Sequence, residues 1–419
     1  MSVFVDLSKC SQELRERMDS ELNLVIPVNP KQSMSLQPYR IQESFVYIPF
    51  AYGVQLGFEP LPHTSLSQPV TFTGKLRDEQ KVVRDQVLQV LNQTRSVIVS
   101  THVGFGKSIL ATYFAYKIQM KTLVVVNRIV LMNQWVDVLN RFIYQPRICI
   151  IKPNEIIDWD CDFFIVNAVN LPKIGYMPEI GVVIVDELHL IVSKVLSTCF
   201  QYLTPSYFIG LSATPYRNDG LDVLIDLYFG KERIDRQLHR AHHVYKINTG
   251  FVPVVHKQAN GKVDWNDILN QQSTDVKRND LIVQIVTQNI YNFLVLCKRV
   301  EQIRTLEKRF VELGLNVVAL YGDKQPPVVD PDQRIILIGT IQKVGTGFDA
   351  PYLNALIVAS DLEAYFIQYL GRVFRKQETI PVIFDLVDDY SILKKHYKTR
   401  EETYLKHGGI IKTQRQGKK

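Results

Sequence analysis

The stretch "SVIVSTHVGFGKSILATYFAYKI", Ser96 to Ile118, decides how the chain is read. The β-branched run "SVIVS" reads as a buried strand, "THVGFG" as a turn and "KSILATYFAYKI" as an amphipathic helix. Glycines at 104 and 106 let backbone N–H groups turn inward and cradle phosphate oxygens at the helix N-terminus. Lys107 is then placed to reach the β- and γ-phosphates, and Ser108 to coordinate Mg²⁺. The full phosphate-loop pattern has glycine where Thr101 stands, so corroboration has to come from elsewhere in the chain.

Working outward, "TLVVV", "RICII", "DFFIV", "GVVIVDE" and "YFIGLSAT" alternate with longer amphipathic stretches, as buried parallel strands with helical crossovers do. The pattern stops near Gly230, and residues 231–279, rich in His, Asn, Gln and Gly, have no sustained period. It restarts with "NFLVLCK", "NVVALYG", "RIILIGT", "NALIVAS" and "IPVIFDLVDD", separated by helical segments such as "RVEQIRTLEKRFVELG". Two α/β domains follow, without a close internal repeat. The first 75 residues, punctuated by prolines, suggest a small β-rich or irregular accessory region. The division expected is 1–75 accessory, 76–235 first domain, 236–279 connection, 280–405 second domain and 406–419 basic tail.

The totals agree with this division. A chain of 419 residues suggests two or three domains, and 46% hydrophobic with 22% charged residues is a globular balance. No apolar run reaches membrane-spanning length, and the opening residues carry acids where a signal peptide is apolar, so a soluble intracellular protein without a membrane partner is expected. Five scattered cysteines without a CxxC pair indicate neither a disulfide framework nor a zinc module. The net charge of +7 is compatible with a polyanionic partner. The tail "KKHYKTREETYLKHGGIIKTQRQGKK" suits phosphate contact and base stacking, and reads equally as a solvated terminus.

Corroboration for the phosphate loop comes from "VVIVDELHL", in which a β-branched run ends in two adjacent acids, at the strand end where open α/β sheets place ligands. Asp186 is placed to hold Mg²⁺ through water, and Glu187 to orient or deprotonate the attacking water. Together with "LSATPYR", these residues resemble the ATPase core of superfamily 2 helicases: a GxGKS loop, a DExH box at Asp186, Glu187, Leu188 and His189, and an SAT motif at Ser212, Ala213 and Thr214. The resemblance implies two tandem RecA-like (P-loop) domains binding ATP and Mg²⁺. The nucleotide is then lined by Thr101, Val103, Gly104, Phe105, Gly106, Lys107 and Ser108, with His189, Ser212 and Thr214 coupling hydrolysis to motion.

"YFIQYLGRVFRK" is similar to the family's QxxGRxxR motif, and on a helix Gln368, Gly371, Arg372 and Arg375 would share one face. The resemblance makes Arg375 the arginine finger, Arg372 its companion and Gln368 a contact to the nucleotide side. "IGTIQKVGTGFDAP" resembles motif V, which implies Thr340 and Lys343 on the nucleic-acid backbone, with Gly345, Gly347 and Asp349 by the nucleotide. "FTGKLRDEQ" resembles the segment that reads adenine, with Arg77 and Gln80 as contacts. "VVVNRIVLMNQW" and "FFIVNAVN" take the places of motifs Ia and Ib, which puts Asn127, Arg128 and Asn167 near a phosphate backbone, while their hydrophobic members are core. Lys298 and Arg299 fall where motif IV meets the nucleic-acid strand.

His239, His242 and His243 lack cysteine or carboxylate companions at ligand spacing, and a basic interdomain surface is expected there rather than a metal site. More narrowly, "NRIVLMNQW", "LSATPYRNDGLD", "TGFVP", "DWN" and "RNDLI" resemble a branch of XPB-like helicases, phage recombination helicases and transcript-release helicases of poxviruses and other large DNA viruses. What this implies is a nucleic-acid-dependent ATPase acting on DNA, duplex or single-stranded, with RNA as a further candidate substrate and a transcription or replication complex as a candidate partner. An ATP clamp without productive hydrolysis, or the motor of a restriction or remodelling machine, are the alternatives; no nuclease constellation is visible in the sequence.

Overall fold

The computed structural model describes residues 2–29, 32–102, 104–192, 200–213, 219–322, 330, 333–345, 350, 352–362, 367–374 and 379–413. They fall into two compact units, Met1–Arg236 and Gln237–Lys419.

The first unit holds a seven-stranded, wholly parallel sheet in the order Arg233–Arg236, Ser96–Thr101, Tyr207–Ser212, Val182–Asp186, Thr122–Val126, Phe163–Asn167, Ile148–Ile151. A parallel sheet is covered on both faces, which is why its inner strands are largely apolar and four of the five are buried at every position. Register aligns Ser100 with Ser212 and Asp186 with Leu211, so the loops leaving these three strands emerge at one edge.

Helices Asp78–Thr94, Lys107–Ile118 and Ile129–Phe142 cover one face through Val83, Val87, Phe114, Trp135 and Leu139. On the other face, helix Asp222–Phe229 packs with the N-terminal residues. That N-terminal region is β-rich, with strand Phe45–Pro49 antiparallel between Ser2–Asp6 and Arg40–Gln42. It does not stand apart: Val3, Ile48 and Phe50 share a core with Phe208 and Phe229, and the Ser2 N–H donates to Leu203 O over 2.7 Å. Gly53 permits the close approach, since a Cβ there would lie 2.6 Å from Val3 Cβ.

The second unit repeats the architecture in the order Val317–Leu320, Ile336–Thr340, Phe293–Cys297, Ala355–Val358, Val382–Val387, His242–Asn248, Gly409–Thr413, again all parallel. This corrects the reading of 236–279 as connection. His242–Asn248 is an inner strand of this sheet, and helices Trp265–Thr274 and Val276–Thr287 follow it. The strand "HHVYKIN" escaped notice because its buried positions are interrupted by partly exposed His, Tyr and Lys rather than forming an apolar run. Part of the expected tail, Gly409–Thr413, is the edge strand beside it, and residues 414–419 lie outside the described ones. Likewise Arg233–Arg236, beyond the point where the pattern stopped, is an edge strand of the first sheet.

The segments "TGFVP", "DWN" and "RNDLI" now have a structural reason. Asp264 caps helix Trp265–Thr274 by accepting from the N–H groups of Asn266 and Asp267. Buried Arg278 donates to Asp388 Oδ1 over 2.7 Å and to Ala359 O over 3.0 Å, while Thr249 and Gln272 also donate to Asp388. Arg400 forms a two-pronged pair with Asp385, at 2.7 and 2.8 Å, that Tyr404 completes. Ion pairs this deeply buried persist only when each lone pair and proton is matched, so these contacts lock helices to strand ends. Among the described residues, no helix is long and apolar enough to cross a membrane.

Candidate functional site

Strand Ser96–Thr101 leads through the glycine turn into helix Lys107–Ile118. Gly104 and Gly106 have φ of +85° and +93°, a region that side chains disfavour, and a Cβ on Gly106 would lie 2.5 Å from Gln80 Nε2. Lys107 Nζ donates to Thr101 O over 2.9 Å, folding back over the strand end. The first N–H groups of the helix have no intrahelical acceptor, as at any helix start. Val103 lies outside the described residues.

Arg77 and Gln80 are found against this turn. Gln80, 2% exposed, accepts from Arg77 N over 2.9 Å and donates to Phe105 O over 2.8 Å; Arg77 donates to Phe105 O and, at 3.4 Å, to Gly104 O. Both residues therefore buttress the turn from behind in this structure.

Two strands over, Asp186 ends strand Val182–Asp186 and is buried. Burial and the adjacent Glu187 carboxylate push its carboxyl up to about 6, against the opposing pull of the Trp135 N–H and the Lys107 charge. Trp135 Nε1 donates to Asp186 Oδ2 over 2.9 Å. Sequence reasoning took Trp135 as core only; the available signal was that a buried indole N–H needs an acceptor. Glu187 adopts φ +50°, ψ +51°, a left-handed backbone that non-glycine residues take at a cost of about 1–2 kcal/mol, and its Oε2 is buried without a hydrogen-bond partner. His189 Nδ1 lies 3.6 Å from that oxygen and shares a 2.9 Å hydrogen bond with Ser212 Oγ, both residues buried. The DExH and SAT segments thus touch across adjacent strand ends, whereas Thr214 lies outside the described residues.

This donor set fits a Mg²⁺–nucleotide. It offers a lysine and a serine at a glycine-built helix start and a carboxylate two strands over at the same sheet edge, with buried Thr101 Oγ1 and Glu187 Oε2 lacking hydrogen-bond partners.

Farther along the same edge, Asn127 follows strand Thr122–Val126 with its Oδ1 buried and unpartnered, and Arg128 beside it is exposed. Asn167 serves as a cap, accepting from Val169 N over 3.3 Å. In the second unit, Thr340 Oγ1 accepts from Lys343 N over 3.2 Å, and Lys343 Nζ donates to Gly322 O over 3.0 Å. Arg299 is engaged by Asn270 Oδ1 at 2.7 Å and Asn266 Oδ1 at 3.0 Å, and Lys298 N donates to Ser360 Oγ over 3.1 Å. Helix Ile367–Val373 carries Gln368 and Arg372, the latter buried; Gly347, Asp349 and Arg375 lie outside the described residues.

A phosphate-loop turn and paired acids two strands apart at one sheet edge, on the first of two parallel α/β sheets, define the class as a P-loop nucleotide-binding protein of tandem RecA-like type. Residues 73–217 match the family described as "Type III restriction enzyme, res subunit". The chain is 38% identical to "Putative helicase 161L" of Invertebrate iridescent virus 6, covering 98% of this chain and 99% of that one. It is 32% identical to "Putative helicase 055L" of Frog virus 3, covering 87% and 86%. In fold it is similar to S. cerevisiae Dbp5 bound to RNA and ADP BeF3, with TM-score 0.55, 12% identity, and 79% of this chain and 89% of that one covered. The chain belongs to the superfamily 2 helicases of large DNA viruses.

Proposed function

We propose that the chain is an ATP-driven motor that moves along or unwinds DNA, in viral transcript release, replication or recombination. The observation that carries this reading is the placement of Lys107, Asp186 and Glu187 at one edge of the sheet, two strands apart, with Lys107 close enough to bias the ionisation of Asp186. The iridescent-virus and Frog virus 3 relatives carry the name "Putative helicase", which supports the same reading.

Bound Mg²⁺–ATP would supply the phosphoryl group whose transfer to water drives the motor. Lys107 would exchange Thr101 O for phosphate oxygens, Ser108 and Asp186 would hold the ion, and Glu187 would orient the attacking water and accept its proton. Arg372 and Arg375, with Gln368, would serve the same nucleotide from the second unit, with Gly347 and Asp349 beside it. Asn127, Arg128, Asn167, Lys298, Arg299, Thr340 and Lys343 would grip a phosphate backbone, which makes the grip largely independent of sequence. His189 and Ser212, with Thr214, would link the two events.

The test is phosphate release measured side by side with single-stranded DNA, duplex DNA and RNA. Stimulation by DNA is expected. Stimulation by RNA alone would move the substrate, and nucleotide binding without release above background would point to a regulatory clamp. The family match over 73–217 covers a motor core that restriction enzymes use too, so strand displacement on a labelled duplex separates unwinding from translocation alone.

A further inference from the structure

Residues 249–264, between strand His242–Asn248 and helix Trp265–Thr274, have no part in the chemistry above. They leave the second sheet at the edge that also carries Lys298 and Thr340, because all its strands are parallel and Asn248 stands beside Val387 as Cys297 stands beside Thr340. There the chain folds into a short antiparallel ribbon. Lys257 bridges Val263, the Gln258 N–H donates to Lys262 O over 2.8 Å, and Gly261, with φ +77°, turns the tip with its N–H on Gln258 O at 2.9 Å.

Every residue from 254 to 262 is exposed, yet the ribbon is held at its foot. Gln271 accepts from the Val254 N–H and donates to Val254 O, both at 2.8 Å. His256 Nδ1 lies 2.7 Å from Asp267 Oδ2, and the Asp264 N–H donates to His256 O over 2.9 Å. The helix that supplies these contacts also receives Arg299, through Asn266 and Asn270. A segment fixed this way without burial is ordered before any partner arrives, which lowers the cost of binding one.

Its charge is of one sign. Residues 254–263 contain no acid, and the two nearby carboxylates are engaged, Asp264 by helix N–H groups and Asp267 by His256 and Gln271. Among the described residues neither Lys257 nor Lys262 makes an ion pair. Side chains alternate along a ribbon, so Lys257 shares a face with Val263 and Lys262 lies on the other.

We propose that this ribbon is a duplex-binding element that enters the major groove of DNA, with Lys257 and Lys262 each meeting the phosphate backbone on its own side. That groove, about 12 Å wide, admits a two-stranded ribbon, whereas the major groove of an RNA helix is deep and narrow. Contact with phosphates alone reads no base sequence. The inference rests on the reading of the chain as a motor on DNA, and deepens it by naming the duplex as what this part of the second unit holds.

The experiment titrates the full chain with a fluorescein-labelled DNA duplex, and with one of its strands alone, across a salt series read by anisotropy. Two phosphate contacts contribute about 1.8 to the salt slope, so between about 50 and 200 mM salt Lys257→Ala/Lys262→Ala should lose about 12-fold less affinity for the duplex than the wild type does. Each single variant should account for about half of that slope, and on the lone strand the slopes should coincide. ATP turnover without DNA should stay at the wild-type level. A control, Lys9→Ala/Lys308→Ala, removes the same charge from exposed helical positions and should keep the wild-type slope. Equal duplex slopes in wild type and Lys257→Ala/Lys262→Ala, an equal drop on the lone strand, or the same drop in the control would overturn the ribbon's role while leaving the motor reading in place. A wild-type chain that binds neither DNA at low salt would overturn both.

Discussion

The indole N–H of Trp135 donates to Asp186 Oδ2 over 2.9 Å, joining the helix Ile129–Phe142 to the acid that ends strand Val182–Asp186. Both groups are buried, so the bond fixes the rotation of a carboxylate that water does not orient. Trp135→Phe keeps the ring and removes the donor. Losing a partner of this kind costs about 1–3 kcal/mol, and supports behind metal ligands are commonly worth about 10-fold or more in metal affinity. The Mg²⁺ concentration giving half-maximal ATPase should therefore rise about tenfold; an unchanged Mg²⁺ titration would remove Trp135 from the site.

Asp186 also sets a pH signature. Its carboxyl is raised from 3.8 to about 6, so the native state holds this proton more tightly than the unfolded chain does. Stability then falls as pH rises through that window, and above it the ionised group costs up to about 3 kcal/mol. Without Mg²⁺, Asp186→Asn should melt above the wild type at pH 7.5 and level with it near pH 4, as read by calorimetry. A variant that melts lower at both pH values would contradict the assignment.

His189 and Ser212 share their buried hydrogen bond across two strand ends. Alanine at either position should blunt the stimulation of ATPase by nucleic acid and spare basal hydrolysis. The double variant should match the singles, because the pair acts as one unit. Additive losses would mean that the two residues act separately.

Arg375→Ala should abolish stimulated hydrolysis, by about 10³- to 10⁵-fold if it behaves as arginine fingers do, while ATP still binds. Fluorescent-nucleotide titration beside phosphate release checks both halves. Loss of nucleotide binding would reassign the residue.

In the second unit, Arg278→Ala strands the buried carboxylate of Asp388, and breaking such a pair costs about 3–5 kcal/mol. The denaturant midpoint should fall accordingly. A shift below about 1 kcal/mol would show that the pair is not the lock described.

Much of the fold is legible in the chain because parallel strands buried on both faces leave unbroken β-branched runs, as "TLVVV" and "VVIVD" do. The strand His242–Asn248 left no such run, because several of its side chains remain partly exposed although the strand has a neighbour on each side. Lys107, Asp186 and Glu187 announced themselves through glycine spacing and paired acids. Trp135 did not, since its acceptor is 51 residues away, and neither did Arg278, whose partner is 110 residues away.

What the amino-acid order determined by itself was the strands that are unbroken apolar runs and the glycine turn, because periodicity and backbone freedom are properties of near neighbours. Only the tertiary structure decided which strand ends lie side by side, that the N-terminal residues complete the first core, and which distant group satisfies each buried charge. Strand register and the matching of buried polar atoms are set by residues far apart in sequence, and no local pattern encodes them.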